Sequence, residues 1–166
     1  AMLIGTIVVL LAISAILLFA LRSLRLGLIS IVPNLVPAVL GFGVWGLTVG
    51  QVGLSLSVVV AMTVGIVVDD TVHFLAKYRR ARQEHGLGAE DAVRQTFDTA
   101  GRALFTTTVV LVAGFLILLF SPFVPTAQVG VLTATIIGFA LVADLTLLPA
   151  LLLAFDRNRR RDAAAS

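Results

Sequence analysis

The chain has 166 residues, of which 59% are hydrophobic and 13% charged, with a formal net charge of +3 and no cysteine. Soluble domains carry about 25% charged residues, so this composition, with a mean hydropathy of +1.09, excludes an ordinary soluble domain and defines a membrane chain. Without cysteine, disulfide and thiol redox chemistry are excluded as well.

Five apolar segments, residues 2–21, 26–49, 53–76, 103–120 and 127–155, are each long enough to cover a hydrocarbon core of about 30 Å at about 1.5 Å per residue. The spacing therefore predicts an all-α polytopic bundle of five transmembrane helices over residues 1–155, a cytoplasmic connector over 77–102 and a basic cytoplasmic tail over 156–166. The first segment lacks a basic start and ends in Arg22 and Arg25 rather than at a small-residue cleavage site, so it reads as a span and not as a leader. Pro33 and Pro37 stand early in the second, where neighbouring helices can satisfy the backbone groups that the missing amides leave free.

Gly41-Phe42-Gly43-Val44-Trp45-Gly46 in that same span matches G-x-G-x-x-G, with Asp69 following. No strand precedes it and the run is apolar, so dinucleotide binding is not implied, and the glycines are expected to let helices approach closely. The connector contains Gly86 and Gly88, which interrupt the helix, and then Ala89, Ala92, Val93, Phe97, Ala100 and Leu104 at helical spacing. That pattern predicts a short amphipathic helix packed under the bundle, with Glu90/Arg94 and Arg94/Asp98 as i,i+4 pairs on its outer side.

Basic residues fix the expected orientation. Two follow the first span, six lie between the third and fourth, and four follow the fifth; these are all twelve Lys and Arg residues. The opposite connections carry no charge, which predicts the N-terminus outside and the C-terminus in the cytoplasm of a bacterial inner membrane. The positive charge is topological and implies no nucleic-acid partner.

The strongest functional signal is a pair of adjacent carboxylates, Asp69 and Asp70, with His73 close behind them inside the third span. A carboxylate near the bilayer centre costs about 2.5–3.5 kcal/mol on insertion scales, so two of them need a physical reason, and the most economical is proton handling. Neighbours on a helix point about 100° apart, so Asp69 shares a face with Gly65 and His73 and not with Asp70. Small Gly65 offers room beside Asp69 for a partner helix or water. Asp144 lies 17 residues after Ala127 in the fifth span, which places it at a depth similar to that of the pair. Thr106, Thr107 and Thr108 reach a comparable depth and are candidates to bond an aspartate, although threonine in lipid also bonds its own backbone. No compact ligand set suggests a metal ion: His85 stands beyond the membrane segment that holds Asp69 and His73. No cofactor and no enzymatic activity are expected.

Four motifs carry a resemblance: Gly65-Ile66-Val67-Val68-Asp69-Asp70-Thr71-Val72-His73-Phe74, Pro33-Asn34-Leu35-Val36-Pro37, Ala103-Leu104-Phe105-Thr106-Thr107-Thr108 and Ala143-Asp144-Leu145-Thr146-Leu147-Leu148-Pro149-Ala150. In this order they resemble the resistance-nodulation-division (RND) superfamily, and within it the MMPL-like and Patched-like exporters. The resemblance implies a five-helix block, spans eight to twelve of a longer transporter, in which proton flow drives export of lipids or other hydrophobic molecules. It implies Asp69 and Asp70 as proton-coupling acids, with Asp144 and Thr107 or Thr108 as neighbours; His73, by its place one turn on, is a candidate relay or hydrogen-bond partner to them. The implied partners are protons, membrane lipids, a hydrophobic substrate and the remaining half of the transporter with its extracytoplasmic domains; a homo-oligomer is compatible with it. Two alternatives stay open, a lipid-sensing bundle similar to a sterol-sensing domain and a translocation component similar to SecD and SecF.

Overall fold

The computed structural model describes residues 24–50 and 54–165. The expected first span therefore lies outside the described residues. Every regular element among the described residues is helical: α1 over Leu24–Thr48, α2 over Leu54–Glu84, α3 over Ala89–Thr96, a π-helical turn over Phe97–Gly101, α4 over Arg102–Ile117, a 3-10 turn over Leu118–Phe120 and α5 over Val124–Ala165. Three described segments are long and apolar enough to cross a membrane, namely Ile29–Thr48, Ala89–Phe120 and Val124–Asp156. The expected third span, 53–76, lies only partly among the described residues, where it falls on α2.

Helix α5 is the axis of the bundle, packing against α1, α2, α3 and α4. Its sequence explains the position, since Leu132, Ile136, Ile137, Ala140, Ala143, Leu148 and Leu152 are all buried, leaving it apolar on several faces at once. The helices around it present narrower stripes. On α1 the buried positions Ile29, Pro33, Pro37, Gly41 and Trp45 recur every four residues, and on α2 Val59, Thr63, Val67 and Thr71 do the same. This i,i+4 row is the ridge that one helix seats in the groove of another. At one end of the bundle Trp45, Val59, Val67, Leu132 and Ile136 pack together; at the other, Phe74, Leu75, Tyr78, Leu104, Leu148 and Leu152 do. Large apolar side chains on the outer faces, such as Leu35 and Val39 on α1 and Phe105, Val110 and Ile117 on α4, are exposed, as a lipid-facing surface requires.

One glycine of the apolar motif earns its place by contact. A methyl group at Gly41 would run into the Ile136 side chain on α5, whereas the same addition at Gly43 or Gly46 meets nothing within 4 Å among the described residues. Gly65, expected to admit a neighbour, also meets nothing within 4 Å, so among the described residues it is not a packing contact. The reason is rotational: Gly65 lies two residues from Thr63 and Val67, on the side of α2 opposite its buried row.

The connector folds as the spacing predicts, with two differences. Gly86 takes a φ of +60°, a left-handed conformation that stops α2, and Ala89, Ala92, Val93, Ala100 and Leu104 are buried. The amphipathic helix is not a separate piece, however. It runs through the π turn directly into α4, and Phe97 in that turn meets Phe74 edge-to-face with ring centres 5.4 Å apart. Glu90, Arg94 and Asp98 form no ion pair among the described residues; the ion pairs are Arg80–Glu84 and Arg82–Asp156. All three side chains are exposed, where such pairs gain little over water, and the wider π turn moves Asp98 off the α-helical register. Arg82 instead ties the connector together, donating to the Leu87 carbonyl at 3.0 Å and to Asp156 on α5 at 2.9 Å.

These contacts predict opposite effects of adding carbon at two glycines. Gly41→Val forces Ile136 aside and lowers stability by about 1–3 kcal/mol, whereas Gly65→Ala is neutral or stabilising by up to about 1 kcal/mol through helix propensity. Thermal unfolding of the purified protein in detergent checks both.

Candidate functional site

The i,i+4 rows bring three polar side chains from three helices to one point. Thr71 on α2 has its Oγ1 2.9 Å from Oδ1 of Asp144 on α5 and 2.7 Å from Oδ1 of Asn34 on α1. Its own helix offers the Val67 carbonyl at 3.2 Å. Thr71 is 0% exposed and Asp144 2%, so the carboxyl is sealed inside the bundle, and Thr71 is the side chain that meets it. Asn34 stands between Pro33 and Pro37, both buried, in the part of α1 whose backbone ladder lacks two amides.

A hydroxyl holds one hydrogen and can give it to one acceptor at a time. With Asp144 ionised, Thr71 donates to the carboxylate and Asn34 turns its amide NH2 toward the Thr71 oxygen. With Asp144 protonated, the carboxyl donates to Thr71, which passes its own hydrogen to the Asn34 carbonyl oxygen. Both arrangements satisfy all three groups, and they differ by one proton and by the direction of two hydrogen bonds. The two ends of an amide are nearly isosteric, so the hydrogen bonds themselves reverse through a rotation of the Asn34 amide.

The expected acids divide between this interior and the outside. Asp70, next to Thr71, is half-buried and within electrostatic reach of Asp144 on one side and of Asp69 and His73 on the other. Asp69 and His73 are exposed. Their shared face with Gly65 is thus as the helical spacing requires, and it points away from the other described helices. The similar depth expected for Asp144 and the acid pair is found: Asp144 meets the residue that follows Asp70. The threonines separate too. Thr106 and Thr107 are exposed and bond their own helix, Thr106 to the Arg102 carbonyl at 2.9 Å and Thr107 to Ala103 at 3.0 Å. Neither reaches an aspartate. Thr108 is 2% exposed, and its hydroxyl has no hydrogen-bond partner among the described residues, as is also true of buried Thr133 on α5. No group of three or more His, Asp or Glu side chains is arranged to hold a metal ion among the described residues.

Asn34 and Thr71 are the functional candidates that sequence reasoning passed over. Thr71 had a readable signal, being the next step in the row Val59, Thr63, Val67 that carries the buried face of α2.

An all-helical bundle with lipid-facing apolar surfaces and a sealed carboxyl network is a polytopic membrane protein. The chain belongs to the MMPL family, whose sequence profile matches residues 1–165. It is also similar to a membrane protein of Methanocaldococcus jannaschii, with 28% identity over 153 residues, 92% of this chain. The chain spans 39% of that relative's length.

Removal of the Thr71 hydroxyl leaves the Asp144 carboxyl buried without its partner. Thr71→Val therefore lowers stability by about 1–3 kcal/mol, Thr71→Ser restores most of it, and Thr107→Val stays within about 0.5 kcal/mol of the parent. Denaturation midpoints of the three variants in one detergent check the order.

Proposed function

We propose that this block is the proton-coupling membrane part of an RND-type exporter, with Asp144, Thr71 and Asn34 as its buried switch and Asp70 as the acid that exchanges protons with it. The observation that supports the reading is the Asp144 carboxyl, sealed to 2% exposure and bonded by the residue adjacent to Asp70. A structural carboxyl gains nothing from such a position, since burying an ionisable group in lipid is expensive and is met mostly where protons or ions move. Asp69 and His73, on the outward face of α2, stand where the remaining half of a transporter packs and where a proton enters or leaves.

In this reading five spans cross a bacterial inner membrane with the N-terminus outside, and the longer protein supplies the extracytoplasmic domains that carry a lipid or another hydrophobic molecule. Each proton that crosses brings about 2.3 kcal/mol per 100 mV of membrane potential. Reversal of the Thr71 and Asn34 hydrogen bonds converts that energy into a changed contact among α1, α2 and α5, a step of the right size for a shift in helix packing. A lipid sensor would need the same bundle without any proton current.

The test uses the intact polypeptide in proteoliposomes under an imposed proton gradient. Asp144→Asn and Asp70→Asn, each still inserted and folded, reduce gradient-driven export to background, and Asn34→Leu slows it about tenfold, the loss of roughly 1.4 kcal/mol from one hydrogen bond. Wild-type export in both aspartate variants overturns the proposal and favours the sensor.

A further inference from the structure

Where α2 leaves its apolar stretch, a cavity of about 160 Å³ opens between that helix and the connector, lined by Lys77, Arg80 and His85 on one side and Gln95, Thr96 and Thr99 on the other. The proton site does not involve these residues. We infer that this cavity binds a phosphate group, supplied by the headgroup of an anionic phospholipid of the inner leaflet.

The donors around the cavity suit an oxyanion. Lys77 has no ion pair among the described residues and offers three N–H bonds. Arg80 gives its Nε to Glu84 at 2.6 Å, which leaves both terminal NH2 groups for a planar, two-pronged grip on oxygen. Glu84 is exposed and offsets part of the positive charge without filling the cavity. The hydroxyls of Thr96 and Thr99 are committed to the carbonyls of Ala92 and Gln95, at 2.7 Å and 2.9 Å, so the cations and Gln95 carry the recognition. Gln95 adds an independent sign: its Oε1 is buried with no hydrogen-bond partner among the described residues. A buried amide end left without a partner is rare in a finished structure. Turned by half a rotation, the same amide presents its NH2 to an anion, and the orphan is resolved by the ligand.

Position argues for a lipid as the source. Lys77 is the first charged residue after the apolar stretch that ends at Ala76, so in the topology proposed above the cavity sits at the level of the inner-leaflet headgroups, where basic pockets between helices hold anionic lipid. The inference rests on that topology and not on the proton switch, so either can fail while the other stands.

Native mass spectrometry of the full chain, released from detergent containing equal phosphatidylglycerol and phosphatidylcholine, measures the preference. The wild type retains phosphatidylglycerol selectively, and Lys77→Gln with Arg80→Gln lowers its retention by at least about fivefold, the worth of one surface cation near an anionic lipid. Gln95→Leu, which keeps both cations, also lowers retention, while neutralising Arg157, Arg159, Arg160 and Arg161 together does not. A second arm adds inorganic phosphate and follows thermal stability. Stabilisation of the wild type but not of the Lys77/Arg80 variant, without lipid retention, supports phosphate recognition with the free ion as its source. Equal retention of both lipids with no phosphate effect, unchanged binding in the Lys77/Arg80 variant, or a loss that follows the four tail arginines alone overturns the inference.

Discussion

A carboxyl group withdrawn from water must find hydrogen-bond partners inside the protein, and in this bundle that requirement ties three helices to one another. Asp144 on α5 is satisfied by Thr71 on α2, and Thr71 in turn meets Asn34 on α1. Rotating any of the three helices by a single residue, about 100°, would leave the carboxyl facing lipid or carbon at a cost of several kcal/mol. The apolar rows on α1 and α2 agree with this registration, since Gly41 against Ile136 and the Trp45, Val67 and Ile136 cluster need the same rotations. Polar satisfaction and close packing thus select one arrangement.

The same constraint gives the acids different surroundings. Two adjacent aspartates on a helix cannot share a face, and here the geometry separates them into an outward Asp69 and a half-buried Asp70, with Thr71 completing the turn into the core. A polar path runs around the helix within three consecutive residues. It runs from the exposed Asp69 to the Thr71 hydroxyl, which meets the sealed Asp144 carboxyl. The prolines that flank Asn34 fit this picture, because missing backbone bonds make that part of α1 easier to adjust than an unbroken helix.

Much of this is legible in the sequence. Charge cost alone marks Asp69, Asp70 and Asp144, the spacing of Ala89 to Leu104 marks the buried face of the connector, and Gly86 marks its break. Other features depend on facts that a one-dimensional pattern does not hold. Asn34 and Thr71 carry no net charge and look like ordinary polar residues of a membrane helix until the rotation of three helices brings them together. Thr107 and Thr108 are neighbours in sequence, yet only Thr108 is buried, because the π turn before α4 sets which side of that helix meets α5. Gly65 is small enough to admit a partner helix or water, and among the described residues nothing lies within 4 Å of the side chain it lacks. The Arg82–Asp156 pair joins residues 74 apart in the chain, beyond the reach of local spacing.

The central claim is that the Asp144 carboxyl gains and loses a proton while its hydrogen bond to Thr71 reverses direction. Difference infrared spectroscopy of the intact protein in lipid, recorded as pH is stepped, observes a protonated carboxyl directly through its C=O stretch. The account predicts a band that appears and disappears reversibly, is missing in Asp144→Asn and shifts in frequency in Thr71→Val, where the hydrogen-bond partner is gone. A spectrum in which no carboxyl band is lost with Asp144, or in which the band ignores removal of the Thr71 hydroxyl, contradicts it.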